Sequence, residues 1–239
     1  MILSINQPAW LPWPGYFHRV ARSDLHVVLD HVQFEKDSFV NRNRVRTAGG
    51  TAWLTVPART AGRFGVSIDA LEIADDGRWA RKQWDTLRFA YARAPHFAAH
   101  APFFEQVFAR PWPRLLDLLL HVNGYLSEAL GVRTPLRRSS ELRPQGRKSE
   151  LVLELCRGLG ATTYLSGPLG RDYLELETFR SAGIAVEFDD YAPPVYPQCQ
   201  PGPFAPGLSV VDLLFNCGPE AGPRLLAPRG AFPENPATP

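Results

Sequence analysis

Asp30, His31 and Gln33 lie within four positions of one another, directly behind the apolar run Leu25-His26-Val27-Val28-Leu29. A carboxylate at a strand end beside an imidazole can orient the ring or accept a proton from an attacking amine. The plainer reading is an aspartate capping the turn that follows. Gln7-Pro8 with Trp10, Trp13 and Tyr16 forms a proline-stiffened aromatic wall. A sugar, a base or a pantetheine arm could stack there while Gln7 supplies directional hydrogen bonds. Taken singly, Trp10 and Trp13 fit a role in closing the core better, whereas Gln7 does not. Asn41-Arg42-Asn43-Arg44 alternates amides with guanidinium groups, a donor set for phosphate, carboxylate or sugar hydroxyls, or else a solvated basic turn.

Later in the chain, Ser166-Gly167-Pro168-Leu169-Gly170 follows a β-rich run and precedes a helical one. Free backbone N–H groups at such a junction can hold an anion, although the segment is neither a Walker loop nor GxGxxG and also reads as a tight turn. Tyr173 follows that loop, and Gln198 sits in the irregular Tyr196-Pro197-Gln198-Cys199-Gln200. Cys199 raises the question of a thioester intermediate, whereas Cys156 has helical neighbours and Cys217 ends a helix. The six histidines show no metal-ligand spacing; His96 and His100 are four apart but lack a third ligand.

The elements that must position these residues begin with Ile2-Leu3-Ser4-Ile5, a short strand. It runs into Gln7–Gly15, where three prolines and a glycine exclude regular structure. Tyr16 to Arg22 forms a helix and Leu25 to Asp30 a buried strand. Polar Val32–Val45 is too rich in donors for a core element, and Ala52–Pro57 is a further strand. Helices are expected over 79–92, 103–109 and 115–130. A second β, turn, α, β section follows: helix 148–159, strand Thr162–Leu165, helix 173–182 and strand Ile184–Phe188. A short helix near Ser209–Phe215 carries capping-box-like Ser209 and Asp212. The implied architecture is α/β, a single mainly parallel Rossmann-like sheet flanked by helices. It would fill one catalytic domain over 1–218, with a helical insertion at about 79–131 and a Pro-rich, weakly packed tail over 219–239. Loops after Ile5, Asp30 and Leu165 are expected to converge at the carboxyl ends of the strands.

Composition narrows the function classes. The 239 residues are 45% hydrophobic and 21% charged, enough for a sizeable core. A net charge of +2 is too small to draw nucleic acid or an anionic membrane by bulk field. The start has no basic residue and only a short apolar run, and Asp117 interrupts the stretch near Leu115–Leu120, so neither a leader nor a membrane span is expected and the setting reads as cytoplasmic. Three cysteines without CxxC spacing indicate reduced thiols. Proline is abundant, 23 residues with about half beyond position 192, so the C-terminal fifth reads as fixed loop.

Gln7-Pro8, Trp13-Pro14-Gly15-Tyr16-Phe17, Asp30-His31-Val32-Gln33, Asn41-Arg42-Asn43 and Trp53-Leu54-Thr55-Val56-Pro57 resemble the opening blocks of the WbqC-like family. Tyr164-Leu165-Ser166-Gly167, Phe204-Ala205-Pro206, Leu208-Ser209 and Asp212-Leu213-Leu214-Phe215-Asn216 continue the resemblance in the family's order, over most of 1–218. The resemblance implies bacterial O-antigen, surface-polysaccharide or natural-product gene sets, often with sugar aminotransferases. That setting suggests an amide-forming acyl or aminoacyl transferase acting on an amine such as an amino sugar. A thioester on CoA, or on an acyl- or peptidyl-carrier protein, would be the donor, with no tightly bound cofactor and no metal. Asp30, Gln7 and His31 would be catalytic; Trp13, Tyr16, Gln33, Asn41, Arg42, Asn43, Ser166, Gly167, Tyr173 and Gln198 would bind substrate. Strand, loop, helix and strand ending in Asp also resemble nucleotidylyltransferase-like amide ligases, although the His-x-x-His pair of that group is absent from 8–16. The third reading is a non-catalytic carbohydrate-binding or scaffold protein.

Overall fold

Alternation along β1 (Ile2–Asn6) sends Leu3 and Ile5 to one face and Ser4 to the other. The computed structural model describes residues 1–62, 64–74 and 77–227. In it β1 is the central strand of a five-stranded sheet with β2 (Leu25–Val28), β5 (Leu136–Arg138), β6 (Thr163–Ser166) and β7 (Ala185–Phe188), ordered β5-β2-β1-β6-β7. Every neighbouring pair is parallel, with Leu3 opposite Leu25 on one side and Tyr164 on the other. The α/β, Rossmann-like architecture is therefore present. β5 has no counterpart in the sequence reading. Three residues with two arginines make no hydrophobic alternation, which suits a solvated edge strand.

Helix α1 (Pro14–Ala21) covers one face of the sheet. Its Pro14 at the first turn needs no hydrogen-bond partner. On the other face, Leu3, Ile5 and Val27 pack with α6 (Lys148–Gly158) and α7 (Leu176–Ser181). Of polar 32–45 only the last four residues enter a strand. β3 (Arg42–Thr47) pairs antiparallel with β4 (Gly50–Thr55) as a separate hairpin, turning at Gly50 with φ +122°. Between the hairpin and β5 run α2 (Trp79–Tyr91), α3 (Phe97–Ala109) and α4 (Leu115–Ala129). They share one apolar cluster with α1, the hairpin and α8 (Val210–Cys217). α3 begins six residues before the expected Phe103, with Pro102 inside it; buried Phe97, Phe104 and Phe108 outweigh the lost backbone hydrogen bond.

The segment expected to pack weakly begins otherwise. After a short turn, α9 (Ala221–Leu226) buries Ala221 and Leu225 completely, and residues 228–239 of that expected tail lie outside the described residues. α5 (Ser139–Leu142) is a single turn after β5. Ser209 caps α8 by accepting from the Val211 N–H at 3.3 Å. Asp212 instead faces the interior, where its fully buried carboxylate accepts from the Tyr91 hydroxyl at 2.7 Å, Tyr196 at 2.8 Å and Gln198 Nε2 at 2.8 Å. That carboxylate ties α2, α8 and the proline-rich loop together. Among the described residues no helix is long and apolar enough to cross a membrane.

Beneath α1, Ser4 Oγ and the Tyr16 hydroxyl bracket the fully buried His26 ring, at 2.8 Å from Nδ1 and 3.4 Å from Nε2. Burial, with Arg19 nearby, lowers the His26 pKa to about 3 from 6.5. Between those values the unfolded chain binds a proton that the folded chain refuses, so stability rises with pH there and falls on acidification. The slope is about 1.4 kcal/mol per pH unit at most. Urea unfolding from pH 7 to pH 4 is expected to show this loss, and His26→Gln to flatten it; an unchanged slope would contradict the neutral, buried assignment.

Candidate functional site

β1 leads the chain to β2 and β5 on one side, and the chain later returns to β6 and β7 on the other. Connections leaving adjacent parallel strands in opposite directions open a crevice at their carboxyl ends, the usual ligand position in such sheets. Here the crevice is a cleft of ≈ 530 Å³ between the ends of β1 and β6. Ile5, Asn6 and Gln7 line it from β1, Trp13, Tyr16 and Arg19 from α1 and its approach, and Ser166 to Gly170 with Tyr173 from the loop after β6. Phe39, Leu169 and Tyr173 at the cleft are 56%, 75% and 42% exposed, an apolar presence on the surface that suits a ligand with an apolar body.

The floor is polar. Arg19 is 7% exposed and donates from Nε at 3.2 Å and Nη2 at 3.0 Å to Asn6 Oδ1. Burial lowers its pKa, opposed by the charge of Asp189 and by the phenols of Tyr164, Tyr16 and Tyr173; a guanidinium remains protonated regardless. Gly167 has ordinary backbone angles, and its constraint is space: a Cβ would stand 3.0 Å from Arg19 Nη1. At Gly170 a Cβ would overlap the Ser166 hydroxyl. Gln7 is half-buried and its amide makes no hydrogen bond within the described residues. Arg44 also reaches the cleft, while its guanidinium lies 5.6 Å from the Trp53 ring. Neither a carboxylate nor an imidazole belongs to this lining.

Of the side chains singled out from sequence, Gln7, Trp13, Tyr16, Ser166, Gly167 and Tyr173 meet in the cleft. Asp30 does not. Its carboxylate is fully buried and accepts from Arg138 Nε at 2.7 Å, Ser139 Oγ at 2.9 Å, Ser140 N at 2.8 Å and Ser140 Oγ at 2.7 Å. Burial alone would raise this carboxyl; the bonds from Arg138, Ser140 and Ser139 outweigh it and hold the pKa below the usual range. His31 Nδ1 lies 2.6 Å from Ser139 Oγ. The serine proton is given to Asp30, so Nδ1–H is the donor and the hydroxyl is not activated by the imidazole. Ser, His and Asp are thus neighbours without the order that nucleophilic catalysis needs. β2 is one strand removed from the crevice, which is why its loop does not join the other two.

The remaining donors are also committed elsewhere. Asn41 Nδ2 donates to Val56 O and Asn43 Nδ2 to Leu11 O, both at 2.8 Å. Arg42 pairs with Asp37 at 2.9 Å and lies over Trp53 at 4.6 Å. Gln33 is exposed, bridged to Ser67 away from the cleft. Gln198 is strapped to Asp212 and Ala205. Trp10 is fully buried and donates to Gln83. The Cys199 thiol faces the Ala90 carbonyl at 3.7 Å, and burial together with Asp212 pushes its pKa up, which opposes thiolate formation. Sequence reasoning missed Asn6, Arg19 and Tyr164. The available signal was a polar Asn6 closing the mainly apolar strand β1 just before Gln7.

A family model described as the WbqC-like protein family matches residues 7–223. The uncharacterized protein Rv1507c of Mycobacterium tuberculosis is 35% identical over 221 residues, spanning 92% of this chain and 95% of its own length. No solved structure matches the chain.

The Asp30 cluster predicts a stability effect. Asp30→Ala strands three hydroxyl or amide donors and is expected to cost about 3 kcal/mol in urea unfolding; Arg138 is 39% exposed, so its share is screened. The stabilisation is complete above the unfolded carboxylate value of about 3.9 and is lost as pH falls through the lower folded value. An Asp30→Asn protein that is as stable as wild type yet inactive would return Asp30 to the chemistry.

Proposed function

The chain belongs to the WbqC-like protein family, and from that premise we propose that it is an amide-forming acyl or aminoacyl transferase. Its substrate is an amine such as an amino sugar, and the cleft between β1 and β6 is where the reaction occurs. The observation that carries this reading is the cleft itself: an apolar-walled crevice at the strand ends whose lining includes donors that the fold leaves free, the Gln7 amide among them. Donors stabilise the charge that develops when an acyl carbonyl is attacked.

The donor in this reading is a thioester on CoA or on an acyl- or peptidyl-carrier protein. Its arm lies along Trp13, Leu169 and Tyr173, and Gln7 Nε2 donates to the acyl oxygen. The amine nitrogen forms the C–N bond as the C–S bond breaks. The departing thiolate takes the proton that the nitrogen sheds, so the step balances without a carboxylate or imidazole in the cleft lining. Binding supplies the alignment of the two reactants. The reaction belongs to surface-polysaccharide or natural-product biosynthesis and proceeds in the cytoplasm, where such thioesters are made.

The strand order supports a second reading, an ATP-dependent amide ligase that binds nucleotide at the same crevice. Incubation with acetyl-CoA and a nucleotide-linked amino sugar is expected to give an N-acetyl product mass and free CoA thiol. Gln7→Ala is expected to lower kcat/KM about 100-fold with an unchanged melting temperature, since its amide holds nothing in the fold. Product formed only with ATP and with pyrophosphate release would favour the ligase. Sugar binding without product from any donor would favour a carbohydrate-binding protein.

A further inference from the structure

Arg19 is buried with only a neutral partner. Its Nε and Nη2 share Asn6 Oδ1, and among the described residues no carboxylate lies within 4.0 Å of it; the nearby Asp189 is engaged by Arg22 at 2.8 Å and His18 at 3.0 Å. A buried guanidinium is costly unless an anion compensates it. Nη1 makes no hydrogen bond and borders the bare Cα of Gly167, on the cleft.

Asn6 supplies the second, independent observation. A guanidinium only donates, so the Asn6 oxygen must face it, which fixes the amide orientation. Asn6 Nδ2 is then a donor, and it is buried without a partner. Two unpaired donors, one charged, stand on one hydrogen-bonded pair at the floor of a cleft whose lining contains no carboxylate. Only an acceptor satisfies both, and an anion adds to the partial compensation that the charge of Asp189, already shared with Arg22 and His18, gives Arg19.

We propose that the cleft seats a terminal oxyanion of its substrate, a carboxylate or a phosphate monoester, on Arg19 Nη1 and Asn6 Nδ2. This deepens the transferase reading, on whose cleft it rests, by naming an anionic end as a required feature of one reactant. The apolar body of that reactant extends from the floor toward Leu169 and Tyr173. Cationic ligands without such a group are disfavoured by Arg19 and Arg44.

The test uses melting temperature in sodium phosphate and in sodium acetate, each against sodium chloride of equal ionic strength. Wild type is expected to show a saturable rise of about 3 °C or more with at least one anion. A response to phosphate alone assigns a phosphate monoester, one to acetate alone a carboxylate, and one to both the shared oxyanion site. Asn6→Asp is isosteric and places its own carboxylate against Arg19, so it is expected to fold, to melt higher in chloride and to lose the anion increment. Arg19→Gln is expected to lose the increment too. The absence of a saturable rise with either anion, or an undiminished rise in either folded variant, overturns the proposal. Anion response without acyl transfer would sink the transferase reading alone; acyl transfer without anion response would sink this inference alone.

Discussion

Parallel strands β1 and β6 are sheet neighbours, yet the chain reaches β6 only after building β2, the hairpin, α2 to α4 and β5. That reversal about β1 separates the loops leaving the two strands and opens the crevice between them. Asn6, the last residue of β1, accepts from Arg19 of α1, and Arg19 lies against Gly167 after β6. One polar contact therefore registers the first helix against both strand ends. The cleft's shape depends on that contact, and its charge does too.

Three other buried polar clusters among the described residues are closed. His26 is bracketed by Ser4 and Tyr16, Asp30 is surrounded by donors from β5 and α5, and Asp212 gathers two tyrosines and Gln198. Such clusters fix geometry and leave nothing for a ligand. A second groove, lined by Trp53, Thr55, Lys82 and Gln83, has a similar volume of ≈ 520 Å³, but the Gln83 amide is already held by Trp10 and the Thr55 carbonyl. The β1–β6 cleft combines the strand-end position with two amides whose donors the fold does not use, Gln7 and Asn6.

The α/β class was legible because Ile2–Ile5, Leu25–Leu29, Thr162–Leu165 and Ile184–Phe188 are short apolar runs with helical segments between them. Gln7, Trp13, Tyr16, Ser166, Gly167 and Tyr173 were legible because they lie in or just after loops that leave the carboxyl ends of two expected strands, where ligands of such sheets bind. Asp30 was misleading: its partners stand 108 to 110 residues away on a three-residue strand and a single helical turn, neither of which leaves a periodic signal. Asn41 and Asn43 resembled ligand donors because an amide that pins a loop and one that binds a sugar look alike in sequence; both are buried, Asn43 on the inward face of β3 and Asn41 in the turn before it. Arg19 was invisible for the opposite reason. A charge on a short helix normally faces water, and only Asn6 and the missing side chain of Gly167 make room for this one.

Hydrogen–deuterium exchange with and without saturating acetyl-CoA tests directly whether substrate binds in the crevice between β1 and β6. Binding there gives added protection confined to the loop after β1, the first turns of α1 and residues 166–173. Protection centred on the Trp53–Gln83 groove, on the Asp30 cluster or nowhere would contradict it.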